Sequence, residues 1–184
     1  MHSLRLSKND IELRALNQDD APELARLAND KSIFDMVRDY FPHPYTINDA
    51  IAFISGKQGL HPVTTFGIIY QGKLAGLVDI KLQTDVYRKS GEIGYWIGAP
   101  YRGLGIASDA VSLITEYGFR VLDINRLFAG VYSTNPGSMR VLEKCGYLIE
   151  GISRQAIWKN GQFLDLHRYA FVDNQAPGVK DEEV

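Results

Sequence analysis

The chain changes its hydrophobic rhythm several times, and each change marks an element. Residues 11–16 (IELRAL) alternate apolar and polar positions, as a half-buried strand does. Asn17 to Asp20 then form a polar cap region. Pro22 falls in a first helical turn, where a missing N–H costs little, and Leu24, Leu27 and Ala28 mark one face of a short helix. Between 30 and 45, Ile33, Phe34, Met36, Val37, Tyr40 and Phe41 recur at roughly helical spacing until Pro42-His43-Pro44 breaks the run. Thr46 suits the N-cap of a second helix reaching Ile54, with Asn48 and Asp49 in its first turn. Residues 65–70 and 73–81 read as strands joined around Gln71-Gly72, an antiparallel hairpin, and 84–90 as a polar loop.

The stretch 91–107, GEIGYWIGAPYRGLGIA, organises the rest. Glu92, Gly94 and Trp96 fall on one side of a strand and Ile93, Tyr95 and Ile97 on the other, so both faces carry large side chains and both must be covered. Gly98-Ala99-Pro100 ends the strand, and a helix is expected over 108–121. A buried strand follows at 126–132. The strand–helix–strand order makes the two strands parallel. A short helix is expected at 137–145. Strands at 147–158 and 163–172 flank Lys159-Asn160-Gly161-Gln162, and Asn-Gly is the strongest short hairpin signal. The pattern predicts an α+β fold: a mixed, mostly antiparallel central sheet of about seven strands, with one parallel step and about four helices.

Composition narrows the picture. A chain of 184 residues, 45% hydrophobic and 23% charged, suits one globular domain, read here as 1–173 with a frayed acidic tail at 174–184. The net charge of −2 gives no global support to nucleic-acid binding. A single cysteine, Cys145, excludes an internal disulfide and fits a reducing cytoplasm. No apolar run spans a bilayer and no signal-peptide core is read, so a cytoplasmic protein without membrane partners is expected. The four histidines and Cys145 show no metal-ligand spacing, and no metal is expected.

The candidate chemistry sits at two helix mouths. Gly103 and Gly105 let the backbone approach a ligand, the free N–H groups of the following helix favour an anion, and Arg102 adds a positive charge. This reads as a pyrophosphate seat. No Lys follows as a P-loop requires, and Gly103-x-Gly105-x-x-Ser108 lacks the third glycine of a dinucleotide fingerprint. The second mouth is Asn135-Pro136-Gly137-Ser138, opening a helix that Gly146 closes; there Asn135 and Ser138 either cap N–H groups or bind a ligand.

Arg102-x-x-Gly105-x-Ala107 resembles the acyl-CoA loop of the GNAT acetyltransferases. Together GEIGYWI, YRGLGIASDAV and NPGSMRVLEKCGY resemble that superfamily's ribosomal-protein N-terminal, Rim-type branch over nearly all of the chain. The resemblance implies the GNAT fold and direct acetyl transfer from acetyl-CoA to an amine, either a protein N-terminus or a small molecule, by a monomer or homodimer. It implies that the strand backbone at Trp96, Ile97 and Gly98 holds the pantetheine arm. The N–H groups of Arg102, Gly103, Leu104, Gly105, Ile106 and Ala107 would hold the pyrophosphate. Asn135 would bond the cofactor arm, and Lys144 would reach the adenosine phosphates or simply answer its helix dipole.

Two proton handlers are implied. Glu92 is the amine's base or a structural carboxylate; a largely covered strand suits the first role near neutral pH. The Rim-type branch has Ser at the Ser138 position, so the resemblance implies that Ser138 hydrogen-bonds the CoA sulfur; the tyrosine that many GNAT enzymes use as acid is Leu142 here. Ile157 is apolar where some Rim-type members carry a glutamate. Tyr40, Phe41 and His43, with Tyr45, are either an acceptor wall or a hydrophobic loop covering the sheet edge. Asp35 and Asp39 would attract a cationic amine or stay solvated. The competing reading is a non-catalytic acetyl-CoA-binding sensor, whose mark would be a cleft plugged by residues 34–45.

Overall fold

The computed structural model describes residues 5–173, so the expected tail at 174–184 lies outside the described residues. Eight strands form one sheet: β1 (Arg5–Lys8), β2 (Ile11–Arg14), β3 (Thr65–Tyr70), β4 (Lys73–Leu82), β5 (Ser90–Ile97), β6 (Arg126–Tyr132), β7 (Leu148–Lys159) and β8 (Gln162–Val172). Their order is β1-β2-β3-β4-β5-β6-β8-β7, antiparallel throughout except between β5 and β6. The helices are α1 (Ala21–Ala28), α2 (Lys31–Phe34), α3 (Ile47–Ser55), α4 (Ile106–Val121) and α5 (Pro136–Lys144). Among the described residues no helix is long and apolar enough to cross a membrane.

Two elements exceed the expected number. β1 (RLSK) is too short and too polar to show an alternation. It pairs with β2 and is tied down by Lys8 Nζ donating to Ser112 Oγ at 2.9 Å and Asn9 Nδ2 to Asp109 Oδ2 at 2.9 Å. α2 is a single turn, capped by the Asp30 carboxylate accepting from the Ser32 N–H at 2.8 Å. The Asn-Gly hairpin forms as expected: Asn160 (φ 50°) and Gly161 (φ 77°) make a two-residue turn between Lys159 and Gln162.

The two faces of the sheet carry separate cores. On one, α4 packs Ile106, Val111, Ile114 and Tyr117 against Phe66, Ile68, Val78, Ile80 and Ile93. On the other, α1 and α3 bring Leu24, Leu27, Ala50 and Ile54 onto Leu16 and Leu77. Covering both faces explains why β5 carries large side chains on each of its faces, Trp96 on one and Ile93, Tyr95 and Ile97 on the other.

What positions the site is a divergence. β5 and β6 pair only at Ser90/Arg126, Gly91/Leu127 and Glu92/Phe128. Beyond Glu92, β5 stays with β4 as far as Ile97, while β6 follows β8 to Tyr132. The β6-facing edge of residues 93–97 therefore has no strand beside it, and a cleft opens in the middle of the sheet.

Candidate active site

The cleft holds a cavity of about 950 Å³. Its walls are the open edge of β5, the far half of β6, the mouths of α4 and α5, and the segment that follows α2. Gly105 is the N-cap of α4 with φ 81°, and Gly103 has φ 79°, both in the left-handed region. A Cβ on either would meet nothing within 4 Å, so glycine serves the backbone path there and not packing. The loop turns so sharply that α4 begins at Ile106, two residues before the expected start. Its first N–H groups lack intrahelical acceptors and, with the helix dipole, make an anion seat. This cradle and the open strand edge fit a pyrophosphate and an amide-bearing arm.

Most of the residues expected at the site converge on this cavity: Glu92, Trp96, Ile97, Arg102, Gly103, Gly105, Ile106, Ala107, Asn135, Ser138, Lys144 and Tyr40. Four do not line it. Gly98 packs against α1, where a Cβ would lie 2.5 Å from Leu27 Cδ2, and its N–H is spent on the Ala75 carbonyl at 2.9 Å. Leu104 is exposed on the outside of the glycine loop. Phe41 packs on Tyr45 at a ring separation of 5.0 Å in the α1/α3 core, and His43 stacks on Phe34 at 5.2 Å. Phe41 packs in the core while His43 stays exposed beside Phe34; of the three, Tyr40 lines the cavity.

Side-chain bonding refines the expected roles. Arg102 donates to Ile97 O at 3.0 Å, Ser32 Oγ at 2.9 Å and Asp30 Oδ2 at 2.8 Å. Its charge is thus balanced by Asp30, whose pKa is lowered against the cost of burial by bonds from Ser32 and Arg102. Asn135 Oδ1 accepts from the Ser138 N–H at 3.1 Å, the capping reading of that residue. Glu92 accepts from Arg38 at 2.8 Å across the cleft.

Two residues the sequence reading passed over complete the site. Tyr95 donates to Ser138 O at 3.1 Å, and its hydroxyl lies 2.8 Å from Ser138 Oγ. Burial pushes the Tyr95 phenol well above its usual range. A tyrosine therefore stands at the α5 mouth after all, supplied by β5 and not by position 142. The second is Asp79 of β4, opposite Gly94 in register. Burial pushes its carboxyl up to about 6, with Glu92 adding to the shift and Lys57 and Lys81 opposing it. The available signals were a phenol and a carboxylate interrupting apolar stripes; neither shows its partner in the sequence.

The mixed sheet with one splayed parallel pair, opening on a glycine-made helix mouth, defines the class. The acetyltransferase (GNAT) domain family matches residues 10–148, and the chain belongs to that family. It is 34% identical over 114 residues to "Putative ribosomal N-acetyltransferase YdaF" of Bacillus subtilis (strain 168), a stretch that is 62% of this chain and 62% of that protein. It is 28% identical over 171 residues to the spermidine N(1)-acetyltransferase of Escherichia coli (strain K12), covering 92% of this chain and 89% of that one. The solved structure of the microcin C7 self-immunity acetyltransferase MccE in complex with acetyl-CoA and AMP superposes with a TM-score of 0.76 at 27% identity, over 90% of this chain and 93% of that one.

Proposed function

We propose that this protein transfers an acetyl group from acetyl-CoA to a primary amine, that of a peptide N-terminus or of a small molecule such as a polyamine. The observation that carries the reading is the divergence of β5 from β6 directly beside the Gly103–Gly105 mouth of α4. It leaves an unpaired strand edge running to a helix mouth whose free N–H groups suit an anion. When bound, acetyl-CoA supplies the thioester whose carbonyl carbon the amine attacks. The chain's own residues do the rest. The N–H groups at the start of α4 hold the pyrophosphate, and the β5 edge orients the arm by strand-like hydrogen bonds. Ser138, bonded to Tyr95, presents hydroxyl protons at the α5 mouth to solvate and protonate the leaving sulfur. Glu92 and Arg38 frame the acceptor end.

The open cavity favours the enzyme over the sensor reading. Residues 34–45 line one side of the cavity through Met36, Val37, Arg38 and Tyr40, while Phe41 and Tyr45 pack in the α1/α3 core, which supports an open cleft over a plugged one. The spermidine and ribosomal relatives support both acceptor kinds. The test is calorimetric titration with acetyl-CoA together with thiol release over pools of N-terminal peptides, polyamines, amino acids and aminoglycosides. Binding plus turnover on one pool is expected. Absence of acetyl-CoA binding would overturn the reading, and binding without turnover on any pool would return the sensor.

A further inference from the structure

The amine needs a base, and the cleft offers two carboxylates in different circumstances. Glu92 is committed to the Arg38 guanidinium at 2.8 Å. Asp79 lines the same cavity and, among the described residues, forms no ion pair and accepts no hydrogen bond. Asp79 is half-buried on the cavity lining, so a carboxylate without a protein partner there is free to meet a bound amine.

The position of Asp79 is specific. It pairs with Gly94, two residues past the Glu92/Phe128 pair where β5 and β6 part. A Cβ on Gly94 would stand 2.7 Å from Asp79 Oδ1, so the carboxylate occupies the space any other side chain would fill. Glycine at 94 thus lets a carboxylate lie against the β5 backbone at the opening of the splay. On its other side, Thr65 pairs with Asp79 in register, and Thr65 Oγ1 is buried without a partner. A spare hydroxyl therefore stands on the adjoining strand.

We infer that Asp79 is the general base of this cleft: it takes the proton of the acceptor ammonium, while Glu92, held by Arg38, positions the acceptor. The inference rests on the acetyl-transfer reading. The ammonium gives one proton to Asp79. The freed nitrogen lone pair forms the N–C bond to the acetyl carbon as the C–S bond breaks, and that electron pair leaves with sulfur. A second nitrogen proton ends on sulfur by way of Ser138 Oγ. Ammonium and thioester yield amide, thiol and one proton, which Asp79 releases to water. The elevated carboxyl supports this assignment, since a base is most effective when its pKa approaches the working pH. The charged groups acting on Asp79 are Lys57, Lys81 and Glu92.

Two measurements test it. Carboxyl ¹³C NMR of the acetyl-CoA-free protein, with the resonance identified by Asp79→Asn, should show Asp79 titrating near pH 6. A midpoint near 4 would overturn the inference whatever the acceptor proves to be. With the best acceptor, Asp79→Asn should lose about a hundredfold in kcat/KM at pH 7 and regain rate as the pH approaches the pKa of the acceptor ammonium. Its acetyl-CoA affinity should stay within about twofold of the parent. Glu92→Gln should keep the acidic limb of the profile and mainly raise the acceptor KM. An Asp79→Asn protein within about threefold of the parent, or loss of the limb in Glu92→Gln instead, would give the role to Glu92. A protein that binds acetyl-CoA but acetylates nothing would sink the transfer reading, while the NMR titration would still decide the state of Asp79.

Discussion

The two ends of the cleft are built in different materials. The α4 end is made of backbone: two glycines at positive φ, the open N–H groups of a helix and a strand edge without a neighbour. The other end, proposed above for the acceptor, is made of side chains that reach across the fold. Arg38 meets Glu92, Asn160 Nδ2 meets Asp35 at 2.8 Å, and Lys159 donates to Asp39 at 2.6 Å and to Val37 O at 3.0 Å. A seat made of backbone needs only the permissive residue at the right place, and holds any ligand of the right charge. A wall made of long-range side-chain bonds can be retuned one residue at a time. The difference suits relatives that are both named N-acetyltransferases but for different acceptors, ribosomal and spermidine.

The comparison breaks most severely at Gly105. A β-branched residue in the left-handed region costs about 1–3 kcal/mol, and relieving it would rotate the N–H groups that form the seat. Gly105→Val should therefore weaken acetyl-CoA binding by about a hundredfold or more in calorimetry, with a smaller loss in melting temperature. If binding survives in a folded Gly105→Val protein, the α4 mouth is not the anion seat. The next effect lies at the α5 mouth. Tyr95→Phe removes the hydroxyl that Ser138 faces at 2.8 Å, and leaves the ring among its apolar neighbours. A fall in kcat of about tenfold to a hundredfold with unchanged acetyl-CoA affinity is expected from steady-state kinetics beside calorimetry. Equal losses in both would make Tyr95 a packing residue.

The same contrast explains what the sequence disclosed. The glycine loop, the Asn135 cap and the Asn-Gly hairpin are local: each needs a residue type at one backbone position, so each could be read before any contact was known. The parallel step followed from chain order alone. The role of Tyr95 was hidden because its partner lies 43 residues away, and that of Asp79 because its partner is the missing side chain of Gly94. Phe41 and His43 stay open in the sequence between acceptor wall and covering loop, because aromatic residues beside prolines pack or bind with equal readiness. The structure adds their neighbours, Tyr45 beside Phe41 and Phe34 beside His43, which the sequence does not show. Arg102 matched its motif, yet Asp30 and Ser32, about 70 residues upstream, take up its donors.

Asp79 lies between the two materials, a side chain laid on backbone, and its effect on stability is a third test. Its folded pKa of about 6 lies above the ordinary 3.8, so the folded state prefers the neutral carboxyl. The cost of charging it is absent below about pH 4, grows between 4 and 6, and is complete above, at roughly 2–3 kcal/mol. Asp79→Asn should accordingly stabilise the protein at pH 8 and leave it nearly unchanged at pH 4 in denaturant melts. Destabilisation of the same size at both pH values would mean that the carboxyl is held by bonds and not merely desolvated.

The smallest expected effect is also the sharpest probe of whether the two ends are separate. Lys159, 3% exposed at the β7–β8 tip, lies 3.7 Å above the Phe34 ring and bonds Val37 O and Asp39. Asp39 is 75% exposed, so losing its partner returns a carboxylate to water and strands no buried charge. The cost of Lys159→Met is then the unpaired Val37 carbonyl and the lost cation–π contact, about 1–2 kcal/mol, with methionine keeping most of the volume. What the substitution frees is the tie between the hairpin tip and residues 34–39, and so the placement of Arg38 beside Glu92. The acceptor KM should rise severalfold while acetyl-CoA affinity holds, because nothing at the α4 mouth touches Lys159. Should acetyl-CoA binding weaken as much as acceptor binding, the link would run through Asp30 and Ser32, which bond Arg102 at the start of the short helix that also carries Phe34. The two ends would then be one coupled device, with Arg102 as the joint between them.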